Sequence, residues 1–220
     1  MSAEHKAELV IMARQPLPGM AKTRLAPVYG DVGAAAIAGF LLRQTVEQAT
    51  ATWPGSVVLA VSPDCRHPLV EQLCRQYALE CRPQVEGDLG NKMQQELVRS
   101  LVAHEFAVII GTDSPYALAG VLPLAWQASI TEQAIIAPSL DGGYYLLGLR
   151  KPRPRLFLGL PWGAASVYAG TMERFRELGM SPLVLPEAQD IDTYEDVEEI
   201  VPRFPGLAAF IEQLSVTSKV

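Results

Sequence analysis

The feature that most constrains the fold is the alternation of short apolar runs with longer segments of helical spacing. The runs are rich in Val, Ile and Leu and are bounded by Gly, Pro or Asp, which is typical of buried strands. Their alternation with helices predicts an α/β fold, with a doubly wound, mostly parallel sheet and helices on both faces. The predicted strands are Leu9–Met12, Val57–Val61, Phe106–Ile110, Ala134–Ala137 and Leu183–Leu185, and the predicted helices are Val32–Thr50, Pro68–Tyr77, Lys92–Ala103, Leu118–Ser129, Ser166–Leu178, Tyr194–Val201 and Leu207–Leu214.

One more strand-like run, Tyr144–Leu149, follows Ala134–Ala137 after only a few residues. That gap is too short for a crossover helix, so we expect this strand to pair antiparallel or to lie at an edge, which makes the sheet mixed. The chain of 220 residues has no repeat and no linker. We therefore expect a single domain over residues 1–220.

The composition of the chain indicates which partners and which cellular compartment to expect. A hydrophobic fraction of 49% suits a sheet buried on both faces, and a net charge of −6 argues against nucleic acid or an anionic membrane as partner. No apolar run approaches the roughly 18 residues of a membrane span, so we expect a cytoplasmic protein. Cys65, Cys74 and Cys81 are odd in number and form no CxxC pair, which predicts free thiols rather than a disulfide or a zinc site.

Ligands of open α/β sheets bind beyond the carboxyl ends of the strands, so the residues that follow each run are informative. After the first strand comes a Pro/Gly loop that carries Arg14, Gly19, Lys22 and Arg24. A glycine that lets backbone N–H groups approach, with cations beside it, suits a polyphosphate. The loop is neither a Walker A loop nor a dinucleotide fingerprint, and the alternative is a surface loop with ordinary cations.

Acidic residues follow two other strands. Asp113 comes three positions after the end of Phe106–Ile110, where a buried carboxylate is costly unless it is paired, capping or bound to a metal. Mg²⁺ is usually held by one or two carboxylates together with substrate phosphates. The alternative is that Asp113 or Ser114 caps the next helix.

A pair of acidic residues, Asp190 and Asp192, follows Leu183–Leu185. An extended backbone would place both side chains on one side, where they could face a cation. The alternative is that Asp192 or Thr193 caps the following helix.

Three weaker signals complete the candidate site. Asp141, Gly142 and Gly143 stand between two strands, either as a hairpin turn or as a place where substrate meets backbone and carboxylate. Gly87 and Asp88 precede a helix whose N-terminus could meet an anion or a sugar hydroxyl, although a plain turn with a cap explains them equally well. Trp162 could form a wall of the cavity or be an ordinary packed aromatic.

Five sequence blocks, in order, resemble the bacterial GT-A-like transferases associated with radical-SAM and selenodomain proteins. That family is similar to 2-phospho-L-lactate guanylyltransferase and more distantly to molybdenum cofactor guanylyltransferase. The resemblance implies a GT-A fold, also called the nucleotide-diphospho-sugar transferase fold. The blocks are ARQPLPGMAKTRLAP (13–27), GDLGNKM (87–93), GTDSP (111–115), DGGYYLLGL (141–149) and DIDTYEDV (190–197).

The same resemblance implies roles for individual residues. Asp113 would be a metal ligand, Asp192 or alternatively Asp190 a second one, and the metal would be Mg²⁺ or Mn²⁺. Phosphates would meet Gly19, Lys22 and Arg24. Two departures weaken this transfer of roles: Lys92 stands where arginine is expected, and Ala164 and Ala165 stand where hydroxyl residues are common.

Three functions remain open at this point. The first is nucleotidyl transfer from an NTP to a small acceptor, with Lys22 and Arg24 stabilising the leaving pyrophosphate. The second is glycosyl transfer from a nucleotide-sugar, with Asp141 or Asp190 as base toward the acceptor hydroxyl. The third is nucleotide binding without turnover.

Overall fold

The computed structural model describes residues 5–217. Seven strands form one sheet in the order β3-β2-β1-β4-β6-β5-β7. Every neighbouring pair is parallel except the two pairs that β6 makes with β4 and β5. The prediction of a mixed, mostly parallel sheet is thereby confirmed. The strands are β1 (Ala7–Arg14), β2 (Ser56–Ser62), β3 (Glu80–Pro83), β4 (Phe106–Ile110), β5 (Ala134–Pro138), β6 (Tyr144–Leu149) and β7 (Leu183–Val184).

Both faces of the sheet are covered. In β1, Leu9 and Ile11 belong to one core cluster while Val10 and Met12 belong to another, as the period of two in a strand requires. Full burial of each such aliphatic side chain contributes about 1.5–3 kcal/mol. The helices are α1 (Ala26–Thr52), α2 (Pro68–Tyr77), α3 (Leu89–Ser100), α4 (Pro115–Thr131), α5 (Val167–Glu177), α6 (Tyr194–Ile200) and α7 (Pro205–Thr217).

Helix α1 is the longest element and corrects one expectation. The segment Thr23–Thr52 is long and apolar enough to cross a membrane, by length and composition alone. Its buried residues Ile37, Leu41 and Val46 pack inside the protein, which explains the apolar composition of a core helix. A cytoplasmic location stays a prediction.

Strand β3 is not predicted from the sequence. It has four residues and lies at the sheet edge beside β2, and Glu80 and Arg82 make half of it charged. A short, polar edge strand has neither the apolar run nor the alternation that marks a buried strand.

The prediction of three free thiols is wrong in this structure. Cys65 and Cys81 form a disulfide with their Cα atoms 6.1 Å apart, and Cys74 is free. Cys65 follows β2 and Cys81 lies in β3, which pairs with β2, so the strand pairing brings the two together. Spacing along the sequence could not show this, because β3 itself was not predicted.

Candidate active site

A cavity of about 670 Å³ opens where the loops after β1 and β4 meet the chain that follows β7. These three strands run in the same direction, so their carboxyl ends share one edge of the sheet, as the topology rule requires. The antiparallel β6 begins at this edge and contributes its first residues to the wall. Predicted site residues that line the cavity are Arg14, Lys22, Arg24, Gly87, Asp113, Asp141, Gly143, Trp162, Asp190 and Asp192.

The centre of the cavity is an ion-pair cluster of one cation and two carboxylates. The Lys22 Nζ donates to Asp113 Oδ1 and to Asp192 Oδ1, the latter at 2.5 Å. The lysine side chain is 9% exposed, whereas the two carboxylates are 39% and 37% exposed. The cation is therefore buried behind its partners, and the carboxylates face the open space.

Burial and the two carboxylates act in opposite directions on Lys22. Burial would lower the pKa of the ammonium group, but the charges of Asp113 and Asp192 and their hydrogen bonds outweigh it and raise the pKa. Lys22 is therefore a fixed positive charge at neutral pH, held in the centre of the site.

The backbone conformation of Lys22 is unusual. Its φ and ψ of 49° and 42° lie in the left-handed region, which few residues other than glycine adopt. The buried side chains of Ala21 and Leu25 hold the loop on either side of it. Such strain is kept where the surrounding structure determines it and often marks a ligand site.

Hydrogen bonds between two segments that are far apart in the sequence bring the carboxylates of Asp113 and Asp192 together. The Ile191 N–H donates to the Asp113 carbonyl at 3.0 Å, and Ile191 is fully buried. The Tyr116 hydroxyl donates to the Gln189 carbonyl at 3.0 Å and accepts from the Gln189 N–H at 2.8 Å. Sequence reasoning missed Tyr116 as a positioning residue, since an aromatic residue early in a helix carries no special signal.

Asp190 lies beside this cluster but has a different partner. Its carboxylate accepts a short hydrogen bond from the Ser114 hydroxyl. Burial raises the pKa of Asp190 to about 7, with further contributions from the charges of Asp113, Asp141 and Asp192. Ser114 occupies the N-cap position of α4 without capping through its side chain, so its hydroxyl is used across the site instead.

Asp192 does not cap helix α6. Thr193 is the N-cap of α6 and forms a capping box with Asp196. Because Thr193 and Asp196 satisfy the helix end, the Asp192 carboxylate remains available to Lys22.

The segment between β5 and β6 forms a hairpin turn. Asp141 Oδ1 accepts from the Ser139 hydroxyl at 2.5 Å and from the Gly143 N–H at 2.9 Å. Gly142 has a φ of 88°, and a Cβ there would lie 2.0 Å from the Ala165 carbonyl oxygen, so only glycine fits. Gly142 thus serves the backbone, whereas Asp141 and Gly143 also line the cavity.

Of the remaining predicted site residues, some line the cavity and others only stabilise the turns and helix ends around it. Arg14 and Arg24 are exposed side chains on the cavity wall. Within residues 5–217 the wall does not include Gly19, which has a φ of 71° in a turn, or Asp88, whose side chain caps α3 by accepting from the Asn91 N–H at 2.8 Å. The turn-and-cap alternative describes Asp88, while Gly87 reaches the cavity.

Trp162 forms part of the cavity wall and packs against the start of α3. A Cβ on Gly90 would lie 2.4 Å from the indole ring, so the glycine is what allows this close approach. The ring also stacks on Phe157 at 6.4 Å between centroids. Gly90 lies inside the GDLGNKM block, and a glycine in the first turn of a helix is the signal that could have indicated this contact.

The cavity offers two carboxylates to a divalent cation, but not a complete set of protein ligands. Asp113 and Asp192 offer two carboxylates that share one partner, which is the number of protein ligands that Mg²⁺ commonly takes beside substrate phosphates. Within residues 5–217 no group of three or more His, Cys, Asp or Glu side chains is arranged to hold a metal. A cation here therefore needs the phosphates of a substrate to complete its coordination.

Fold and cavity define the class of protein. The chain resembles a crystal structure of a candidate nucleotide-diphospho-sugar transferase from Desulfovibrio desulfuricans G20, with 25% identity, a TM-score of 0.86 and coverage of 97% of this chain and 96% of the other. The protein has the fold of nucleotide-diphospho-sugar transferases and is classed as a transferase. It belongs to DUF2064, a family described as uncharacterized proteins conserved in bacteria, whose model matches residues 45–164.

Two more distant structures share the fold alone. CMP:2-keto-3-deoxy-manno-octonic acid synthetase in complex with CTP is 13% identical, with a TM-score of 0.52 and coverage of 94% of this chain and 99% of the other. Rv0371c from Mycobacterium tuberculosis H37Rv in complex with manganese is 12% identical, with a TM-score of 0.53 and coverage of 90% and 99%. No curated protein matches the chain by sequence.

Proposed function

We propose that this protein transfers a nucleotidyl group from an NTP to a small acceptor and that it requires Mg²⁺ or Mn²⁺. The observation that carries the proposal is that three cations at and after the end of β1 meet a carboxylate pair in one cavity, which Lys92 also lines. Arg14 ends β1, Lys22 and Arg24 follow it before α1, and Asp113 and Asp192 line the same cavity and pair with Lys22. We further propose that residues 1–220 act as one domain.

The cations suit a triphosphate better than a sugar acceptor. When the α-phosphorus is attacked, the pyrophosphate that leaves gains negative charge, and fixed positive groups stabilise that charge without reorganisation. Lys22 supplies a compact charge, and the guanidinium groups of Arg14 and Arg24 can bind phosphate oxygens through two hydrogen bonds at once.

Asp113 and Asp192 are the residues that would hold the divalent cation. When bound, the cation would neutralise phosphate charge and orient the phosphates. Manganese in the complex of Rv0371c and CTP in the complex of the CMP-linked synthetase support both ligands for a fold of this kind.

The acceptor would lie against the apolar part of the cavity lining. Tyr144, Trp162 and Met93 line the cavity, and Asp141 and Asp190 are acidic members of the same lining. An apolar wall excludes water from the reacting atoms, and a carboxylate beside it can accept a proton from a hydroxyl nucleophile.

A thermal-shift screen of NTPs, nucleotide-sugars and NDPs, with and without Mg²⁺ or Mn²⁺, tests the proposal. A ligand present at 100 times its Kd should add about 2.7 kcal/mol of stability. We expect an NTP to stabilise the wild type only with the metal, and Asp113→Ala to lose that effect. Absence of stabilisation by every nucleotide would contradict the proposal.

Glycosyl transfer from a nucleotide-sugar is the second candidate. The observation in its favour is the similarity over nearly the whole chain to the Desulfovibrio protein, whose name specifies a nucleotide-diphospho-sugar transferase. The products separate the two reactions, because nucleotidyl transfer releases pyrophosphate and glycosyl transfer releases a nucleoside diphosphate.

A further inference from the structure

We propose that Lys22 occupies the place of the divalent cation in the free protein, so that metal and nucleotide enter the site together as one chelate. This inference rests on the proposed function and specifies the form of its substrate. It makes Lys22 a cation that exchanges between two partners: the carboxylate pair when the site is empty, and the phosphates when the substrate is bound.

The geometry requires the exchange. The Lys22 Nζ bonds one oxygen of Asp113 and one of Asp192. A metal ion bound to both oxygens, at about 2.1 Å for Mg²⁺, would lie in contact with the ammonium group. Two positive charges in contact repel each other strongly inside a protein, so ammonium and metal exclude each other from the pair.

The burial of Lys22 sets the condition for its departure. Its side chain is 9% exposed, so an ammonium group that left the carboxylates without a new partner would become a buried, unpaired charge. A phosphate in the cavity supplies that partner, because Arg14 and Arg24 already favour an anion on this side. Lysine suits the exchange, since its charge sits on a flexible four-carbon stem.

The exchange couples the two ligands. Metal alone must displace Lys22 at a cost, whereas nucleotide alone leaves the carboxylates paired with the lysine. Each ligand therefore raises the affinity of the other, and thermodynamic linkage makes the effect reciprocal.

The direct test measures binding of Mn²⁺ alone, by the electron paramagnetic resonance signal of the free ion, to the full-length wild type, Lys22→Gln and Arg24→Gln. The glutamine variant removes the competing charge, so we expect it to bind Mn²⁺ about tenfold more tightly than the wild type, within the usual range of coupling. Arg24→Gln is the matched control, because it removes one positive charge from the same cavity without touching the carboxylates. We expect its affinity to change by about twofold at most, since an exposed charge is screened.

Equal affinity of wild type and Lys22→Gln would overturn the inference, and so would an equal gain in both variants, which would indicate a general charge effect. If Lys22→Gln does not fold, as judged by thermal melting, the wild type decides alone. Tight Mn²⁺ binding to it without nucleotide contradicts the exchange, whereas binding that appears only with a non-hydrolysable NTP analogue, beyond the chelation measured without protein, supports it. None of these measurements uses turnover, so the inference and the proposed reaction can fail separately.

Discussion

In two regions of the molecule, a cation that is mostly shielded from solvent lies between two carboxylates. The two regions differ in how that cation is bound. In the cavity, Lys22 pairs with Asp113 and Asp192. On one face of the sheet near the start of β1, Arg82 pairs with Glu8 and Glu80. The Glu8 side chain is 3% exposed and that of Arg82 is 18% exposed, and within the described chain none of these three residues lines the cavity.

The two clusters show that the same charge pattern can serve structure or function. Arg82 makes four hydrogen bonds, two to Glu8 at 2.9 and 3.3 Å and two to Glu80 at 2.7 and 3.2 Å. A planar guanidinium with this many bonds is locked in place. Lys22 is a single point of charge behind two carboxylates that face the cavity, so another cation can take its place. The place of the cluster, inside or outside the cavity, and the chemistry of the cation separate the two roles.

The largest expected difference between the clusters is catalytic. Replacing Asp113 by Asn removes a charge that faces the cavity, so we expect kcat to fall about 100-fold or more, as for loss of a main electrostatic group. Melting temperature should change little, because Lys22 keeps Asp192. The matched control is Glu80→Gln, which makes the same chemical change in the Arg82 cluster and should leave kcat intact. Full activity of Asp113→Asn would remove the functional role of the cavity cluster.

The second difference is in stability. Glu8→Gln leaves Arg82 with a weaker partner in a buried setting, and we expect the free energy of unfolding to fall by about 2 kcal/mol. Urea denaturation measures this value, and activity per folded molecule should stay the same. Glu71→Gln, which alters an exposed pair with Arg75, is the control and should show no resolvable change. A fall in activity at constant folded fraction would link Glu8 to the site.

Exchanging lysine and arginine between the two clusters tests whether the chemistry of the cation matters. Arg82→Lys keeps the charge and loses the planar fork, so we expect a loss of about 1 kcal/mol of stability with unchanged activity. Lys22→Arg keeps the charge and adds a fork that binds carboxylates more firmly, so activity should fall about tenfold while stability is kept. Paired denaturation and rate measurements on both variants check this crossing of effects. Two variants that behave alike would show that the clusters do not differ in kind.

The smallest expected effect is that of a chelator on stability. Because Lys22 neutralises the carboxylate pair when metal is absent, EDTA should abolish turnover and leave the melting temperature of the nucleotide-free protein unchanged. Differential scanning calorimetry with and without EDTA measures it. A clear loss of stability on chelation would mean that a metal, and not Lys22, holds this cluster in the free protein.

The elements that the sequence predicted well are those whose local pattern agrees with their burial. Phe106–Ile110, Tyr144–Leu149 and Pro68–Tyr77 have the predicted bounds in the structure. An apolar run between turn residues, or a helical period behind a proline, needs no distant information. Strand β3 lacked such a pattern, and the Cys65–Cys81 disulfide depended on β3. Both therefore escaped prediction.

For the site, position in the sequence was informative and pairing was not. The rule that ligands meet the carboxyl ends of strands selected Lys22, Asp113 and Asp192 from their places alone. The same rule could not show that the Asp88 side chain caps a helix instead of lining the cavity or that the Ser114 hydroxyl donates to Asp190. Such choices depend on side-chain directions, which periodicity does not encode.

The α/β class, the presence of strand β6 and the residues that follow each strand could be inferred from the sequence, because these depend on local apolar pattern and on the length of the connections. That β6 is antiparallel and lies between β4 and β5, not at an edge, follows only from the structure. The tertiary structure decided that Lys22, 91 positions from Asp113 and 170 from Asp192, stands between the two carboxylates. The reason is physical: sheet order brings three distant loops to one edge, and a buried ammonium group is stable there only beside opposite charges.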